Sequence, residues 1–131
     1  MIIDSSAIIS ILREEEDHVV FATAIAAAKQ DCKISTATVL EITVVLTRAK
    51  DQPLITQLAQ LLDDFEIEHV SFTVEQQLLA TAAFQRYGRG SGHPANLNLG
   101  DCFAYALAKE CGQPLLFKGS DFTQTDIESA L

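Results

Sequence analysis

Four carboxylates in this sequence, Asp4, Glu41, Asp101 and Asp121, stand just past short apolar runs or near the starts of helical patterns. Aspartate and glutamate offer only oxygen donors, and oxygen-only sets select hard cations such as Mg²⁺ or Mn²⁺. Acids gathered in one place repel one another and persist together only when a cation compensates them. The chemistry that suits such a set is metal-assisted hydrolysis of a phosphodiester. Each acid taken singly also has an ordinary role. Asp4 can cap a helix, Asp101 can be a helix N-terminal acid facing the dipole, and Asp121 can be a turn residue. Glu41 can be an exposed helix residue, although it is the only charge in 36–45, among Val39, Leu40, Ile42, Val44 and Val45.

The elements that must position these residues follow from the apolar pattern. Four short runs read as buried parallel strands: Met1 to Ile3, Lys33 to Ser35, His69 to Ser71 and Leu115 to Phe117. Helical patterns lie between them. Ser5 or Ser6 is expected to cap a helix from Ala7 to about Arg13, and Asp17 to Lys29 reads as a second. Thr38 is expected to cap a third, running through Glu41 to Ala49. Pro53 opens a fourth, with Leu54, Leu58, Leu61 and Leu62 on one stripe. Thr73 with Gln76 reads as a capping box for a helix ending near Tyr87. The segment from Tyr87 to Leu99 holds three glycines and a proline and reads as a loop. Gly100 or Asp101 opens a last helix that stops at Gly112, before Pro114. Strands alternating with helices predict a three-layer α/β/α sandwich around a short parallel sheet. Sites in such sheets form at the carboxyl ends of strands, so all four acids can gather at one edge.

The 131 residues are expected to form one domain, 1–131. A hydrophobic fraction of 48% fits a packed core. No apolar run reaches the roughly 18 residues of a membrane span, and the start lacks a basic region of the secretory kind. The expected location is the cytoplasm. Cys32, Cys102 and Cys111 form no paired spacing and are expected to be reduced, buried thiols. The net charge of −9 argues against broad phosphate tracking. It has two other readings, a clustered cation site or a basic protein partner.

The residues carry a resemblance along the whole chain. Ile2-Ile3-Asp4-Ser5-Ser6-Ala7 opens it, and Thr38-Val39-Leu40-Glu41 continues it. The most specific stretch is His93-Pro94-Ala95 leading to Leu99-Gly100-Asp101-Cys102-Phe103-Ala104-Tyr105-Ala106-Leu107-Ala108. Leu116-Phe117-Lys118-Gly119-Ser120-Asp121-Phe122, followed by Thr125-Asp126-Ile127, closes it. Together they resemble the PIN-domain ribonucleases, specifically the VapC-type toxins of toxin–antitoxin pairs. The resemblance implies an endoribonuclease that depends on Mg²⁺ or Mn²⁺, with Asp4, Glu41, Asp101 and Asp121 in its acidic quartet and Ser6 at a small polar position beside the first aspartate. Spacing in the last motif varies within the family, so Asp126 is an alternative to Asp121.

On this reading Asp4 and Asp101 hold the metal directly, while Glu41 and Asp121 hold a second ion or waters of the first. Water attacks in line and leaves a 5′-phosphate and a 3′-hydroxyl. Ser6 and Ser120 are supporting candidates, with cap and turn roles as the alternative. Arg86, Arg89, His93 and Lys118 are the candidates for RNA contact, against a reading as ordinary surface residues. The expected partners are an RNA substrate, a basic cognate antitoxin whose arginine pairs with the carboxylates, and a second copy in a homodimer. Two other functions compete: a catalytically weak RNA- or protein-binding module, and an aspartate-dependent phosphatase. The latter usually wants a second acid where Ser6 stands.

Overall fold

The computed structural model describes residues 1–28 and 30–131. Its strands are β1 (Ile2–Ile3), β2 (Lys33–Ser35), β3 (Glu68–Val70) and β4 (Leu115–Leu116). Its helices are α1 (Ser5–Leu12), α2 (His18–Ala27), α3 (Thr36–Arg48), α4 (Gln52–Asp64), α5 (Val74–Tyr87) and α6 (Leu99–Cys111). A short 3₁₀ turn, Asp121–Gln124, follows β4. The end of the second helix was expected at Lys29, which lies outside the described residues.

The strands form one parallel sheet in the order β3-β2-β1-β4. Side chains alternate across a strand, and this divides the core in two. Ile2 and Leu115 face a cluster with Leu97, Leu107 and Phe122 on the α5 and α6 side. Ile3 and Leu116 face a cluster with Ile8, Ile34, Ile42, Leu46 and Leu58 on the α1 to α4 side. Two helical layers therefore cover one sheet, as expected. β3 and β4 are the edge strands; on β3, Glu68 and His69 are exposed and Glu68 pairs with Lys33 of β2 at 2.8 Å.

Several local expectations need correction. Asp4 caps α1, not Ser5 or Ser6: its carboxylate accepts from the Ser6 N–H at 3.0 Å. Ser35 caps α3 at its junction with β2, and Thr38 is buried inside that helix. Thr73 caps α5 as expected, but the Gln76 amide donates to Ser71 O and Glu110 Oε2, so the reciprocal half of that box is absent. The box is found on α6 instead. Asn98 Oδ1 accepts from the Asp101 N–H at 3.0 Å, and Asp101 Oδ2 accepts from the Asn98 N–H at 2.6 Å. At its far end α6 stops where Gly112 takes the left-handed conformation, φ 60°. Cys111 is exposed, unlike Cys32 and Cys102.

Candidate active site

The strand order reverses between β1 and β4, and the crevice beyond the carboxyl ends of these two strands is the natural site of such a sheet. Asp4 directly follows β1, and its N–H continues the ladder by donating to Leu116 O at 2.9 Å. One residue further along, the strands part. The Ser6 hydroxyl fills the gap, accepting from the Lys118 N–H at 2.9 Å and donating to Asp4 Oδ2 at 2.5 Å. Asp121 opens the turn after β4. Phe122 anchors that turn, buried against Phe117 with ring centres 5.0 Å apart. Glu41 arrives from α3 and Asp101 from the first turn of α6.

The result is a cleft of about 270 Å³ lined by Asp4, Ser6, Glu41, Asp101, Lys118 and Asp121, with Glu15 and Asn98 among its other walls. Asp4 and Asp101 are buried. Burial pushes the Asp4 carboxyl up, the Ser6 and Ser5 donors oppose the rise, and the Asp121 charge adds to it. Burial also carries Glu41 to about 7; the Asp4 and Asp101 charges add to this, and the Ser5 hydroxyl opposes it. Asp101 likewise reaches about 7 through burial and the Asp4 and Asp121 charges, against the Asn98 N–H and the Arg89 charge. Shifts of this kind concentrate at functional sites.

Two oxygens in this cleft, Asp4 Oδ1 and Glu41 Oε2, are buried without a hydrogen-bond partner among the described residues. A buried carboxylate oxygen left bare is costly, and a divalent cation satisfies such an oxygen directly. The donor set, all oxygen and all acidic, fits Mg²⁺ or Mn²⁺. Among the described residues, Lys118 is the lysine that lines the cleft, and its Nζ is already paired, with Glu15 at 2.7 Å and with Asp17 at 2.8 Å. Among the described residues no three His, Cys, Asp or Glu side chains close on one point as a complete ligand set.

The other expected residues lie apart from the cleft lining. Asp126 accepts from the Tyr105 hydroxyl at 2.7 Å and pairs with Lys109 at 3.0 Å. Arg86 stacks its guanidinium 4.7 Å over the Tyr87 ring. His93 sits edge-on to the same ring, and its Nδ1 accepts from the Ala95 N–H at 3.2 Å. Arg89 is exposed, yet close enough for its charge to act on Asp101. Ser120 is exposed, and its carbonyl serves the turn. Sequence reasoning missed two residues. Asn98 carries a signal, an Asn three positions before an Asp. Gly100 carries none, because its significance depends on a side chain from another helix.

Comparison with known proteins gives a consistent result. The PIN domain family model matches residues 1–128. Ribonuclease VapC28 of Mycobacterium tuberculosis is 45% identical over 131 residues, covering 100% of this chain and 98% of the relative. Ribonuclease VapC42 of the same organism is 43% identical, covering 99% and 98%. In structure the chain is similar to M. tuberculosis VapC20, described as a Sarcin-Ricin loop cleaving toxin. That TM-score is 0.78 at 12% identity, over 96% of this chain and 95% of that one. A toxin–antitoxin complex from Klebsiella pneumoniae matches with a TM-score of 0.69 at 17% identity, over 95% and 92%.

Proposed function

The chain belongs to the PIN-domain family, with VapC ribonucleases as full-length relatives, and on that premise we propose that it is a metal-dependent endoribonuclease acting as the toxin of a toxin–antitoxin pair. Residues 1–131 act as one nuclease domain. Asp4, Glu41, Asp101 and Asp121 hold Mg²⁺ or Mn²⁺. The observation that carries this reading is the pair of bare buried oxygens, Asp4 Oδ1 and Glu41 Oε2, in a cleft lined by all four acids.

When bound, the metal supplies an activated water and offsets charge on the scissile phosphate. The chain's own residues do the rest. Ser6 holds Asp4 Oδ2 by two donors, its N–H and its hydroxyl, and leaves Oδ1 for the cation. Asn98 fixes the rotamer of Asp101 through the capping box. Phe122 seats the turn that carries Asp121. Arg89 lies at the rim, where its charge meets an incoming phosphate.

The partners follow from charge and surface. A cleft of this sign accepts an arginine from a basic antitoxin. Leu40, Leu99 and Phe84 leave an exposed apolar face beside it, 64%, 66% and 40% exposed respectively, large enough in side-chain size to seat an antitoxin segment or a second copy. Among the described residues no helix is long and apolar enough to cross a membrane, and the cytoplasm, where RNA is met, is the proposed site of action.

The direct test is RNA cleavage by wild type and Asp4→Asn, each with and without Mg²⁺. Cleavage is expected only from wild type with the metal. Equal activity in all four conditions would overturn the reading, and binding of RNA without turnover would favour a non-catalytic module.

A further inference from the structure

Gly100 is the second residue of α6, buried and in ordinary helical backbone, so its φ does not require glycine. Glycine in the middle of a helix costs roughly 0.5–1 kcal/mol relative to alanine, and even in a first turn it offers no advantage over alanine where φ is ordinary. Something other than backbone conformation must therefore account for it. The answer lies on α3. A methyl group built at position 100 would overlap Oε1 and Cδ of Glu41 and come within 2.6 Å of Oε2. The Glu41 carboxylate sits against Gly100 in the first turn of α6, in space that any side chain at 100 would take. That same carboxylate carries one of the two bare oxygens of the cleft and lies close enough to Asp4 and Asp101 to feel both charges.

We propose that Gly100 is a positioning residue: the missing side chain opens the path by which Glu41, from a different helix, reaches the acid cluster. The proposal rests on the metal-site reading given above. It says that the cost of glycine to α6 is accepted for the site, so replacing it separates stability from metal binding. The bulk that intrudes meets the far end of a flexible side chain, which swings aside, so Gly100→Ala is expected to fold.

The test is a cycle of Gly100→Ala, Glu41→Ala and the double variant, read by Mn²⁺ titration calorimetry, thermal melting without metal, and a metal-free crystal structure of Gly100→Ala. Gly100→Ala is expected to weaken Mn²⁺ binding about tenfold or more, the scale seen when a supporting group of a metal site is lost. Its metal-free melting temperature stays at or above that of wild type. In the Glu41→Ala background the same substitution changes Mn²⁺ binding no further. The crystal structure shows the Glu41 carboxylate displaced from the first turn of α6. Equal loss of binding in both backgrounds, or an unmoved carboxylate, would overturn the proposal. If the carboxylate moves but wild type itself binds no Mn²⁺, the positional claim stands and the metal-site reading falls.

Discussion

At the scale of single residues, Glu41 and Asp101 make the metal-free protein sensitive to pH. In the unfolded chain they ionise near the ordinary values of 4.5 and 3.8; in the fold burial, chiefly, holds their protons to about 7. Between these limits the folded state binds more protons than the unfolded one, so stability falls as pH rises from about 4 to about 7, and flattens above. Metal-free melting should therefore occur at a lower temperature at about pH 8 than at about pH 5, and Mg²⁺ should recover the difference, because the charged form is the one that binds. A flat melting profile without metal would contradict this. Glu41→Gln keeps the shape and removes a charge from the cluster. It should abolish cleavage while raising metal-free melting at about pH 8 by a few degrees, since ~1 kcal/mol moves a domain of this size by roughly 3–5 °C. A lower melting temperature would count against the repulsion.

At the scale of elements, α6 joins site and scaffold through its first turn. Asn98→Ala removes the cap and should cost about 1 kcal/mol in a denaturant melt. The donor to Asp101 Oδ2 is the Asn98 backbone N–H, which the substitution keeps, so Mn²⁺ binding should change far less than stability; Asn98→Ser should restore most of the stability. Lys118 ties the end of β4 to the connection before α2. Its pairs are over a third exposed, so Lys118→Met should cost no more than about 1 kcal/mol, a loss that shrinks further at high salt. The sheet was legible in the sequence because its strands are short apolar runs bounded by polar turns, and all four were expected within a residue of where they lie. The caps were less legible. Ser35, Thr36 and Thr38 all carry a hydroxyl, and only the backbone angles at the end of β2 select Ser35. Asp4 reads in the sequence as cap or site residue and Asp101 as helix N-terminal acid or site residue; in the structure Asp4 caps α1, Asp101 closes the capping box of α6 from its third position, and both line the cleft. The contact of Glu41 with Gly100 joins two helices distant in the chain, and no local pattern announces it.

At the scale of the molecule, the −9 charge and the apolar face around Leu40 and Leu99 favour protein partners over extended RNA tracks. If that face seats a second copy, Leu99→Glu should shift wild-type dimers to monomers in sedimentation velocity; a monomeric wild type would remove the homodimer from the reading. Core positions behave differently from the cleft. Leu107→Ala, at 0% exposure, should cost about 2–5 kcal/mol. The bare oxygens of Asp4 and Glu41 then acquire an evolutionary meaning. If the proposed acid site carries the activity, a lineage under pressure to disarm this nuclease has a downhill route, because neutralising a cleft acid would remove activity and relieve repulsion together. Disarmed copies should stay folded and abundant. Among naturally inactive genes of this kind, replacements should gather at Asp4, Glu41 and Asp101 far more often than at Ile3 or Leu107, and an even spread would show that silencing proceeds through unfolding instead.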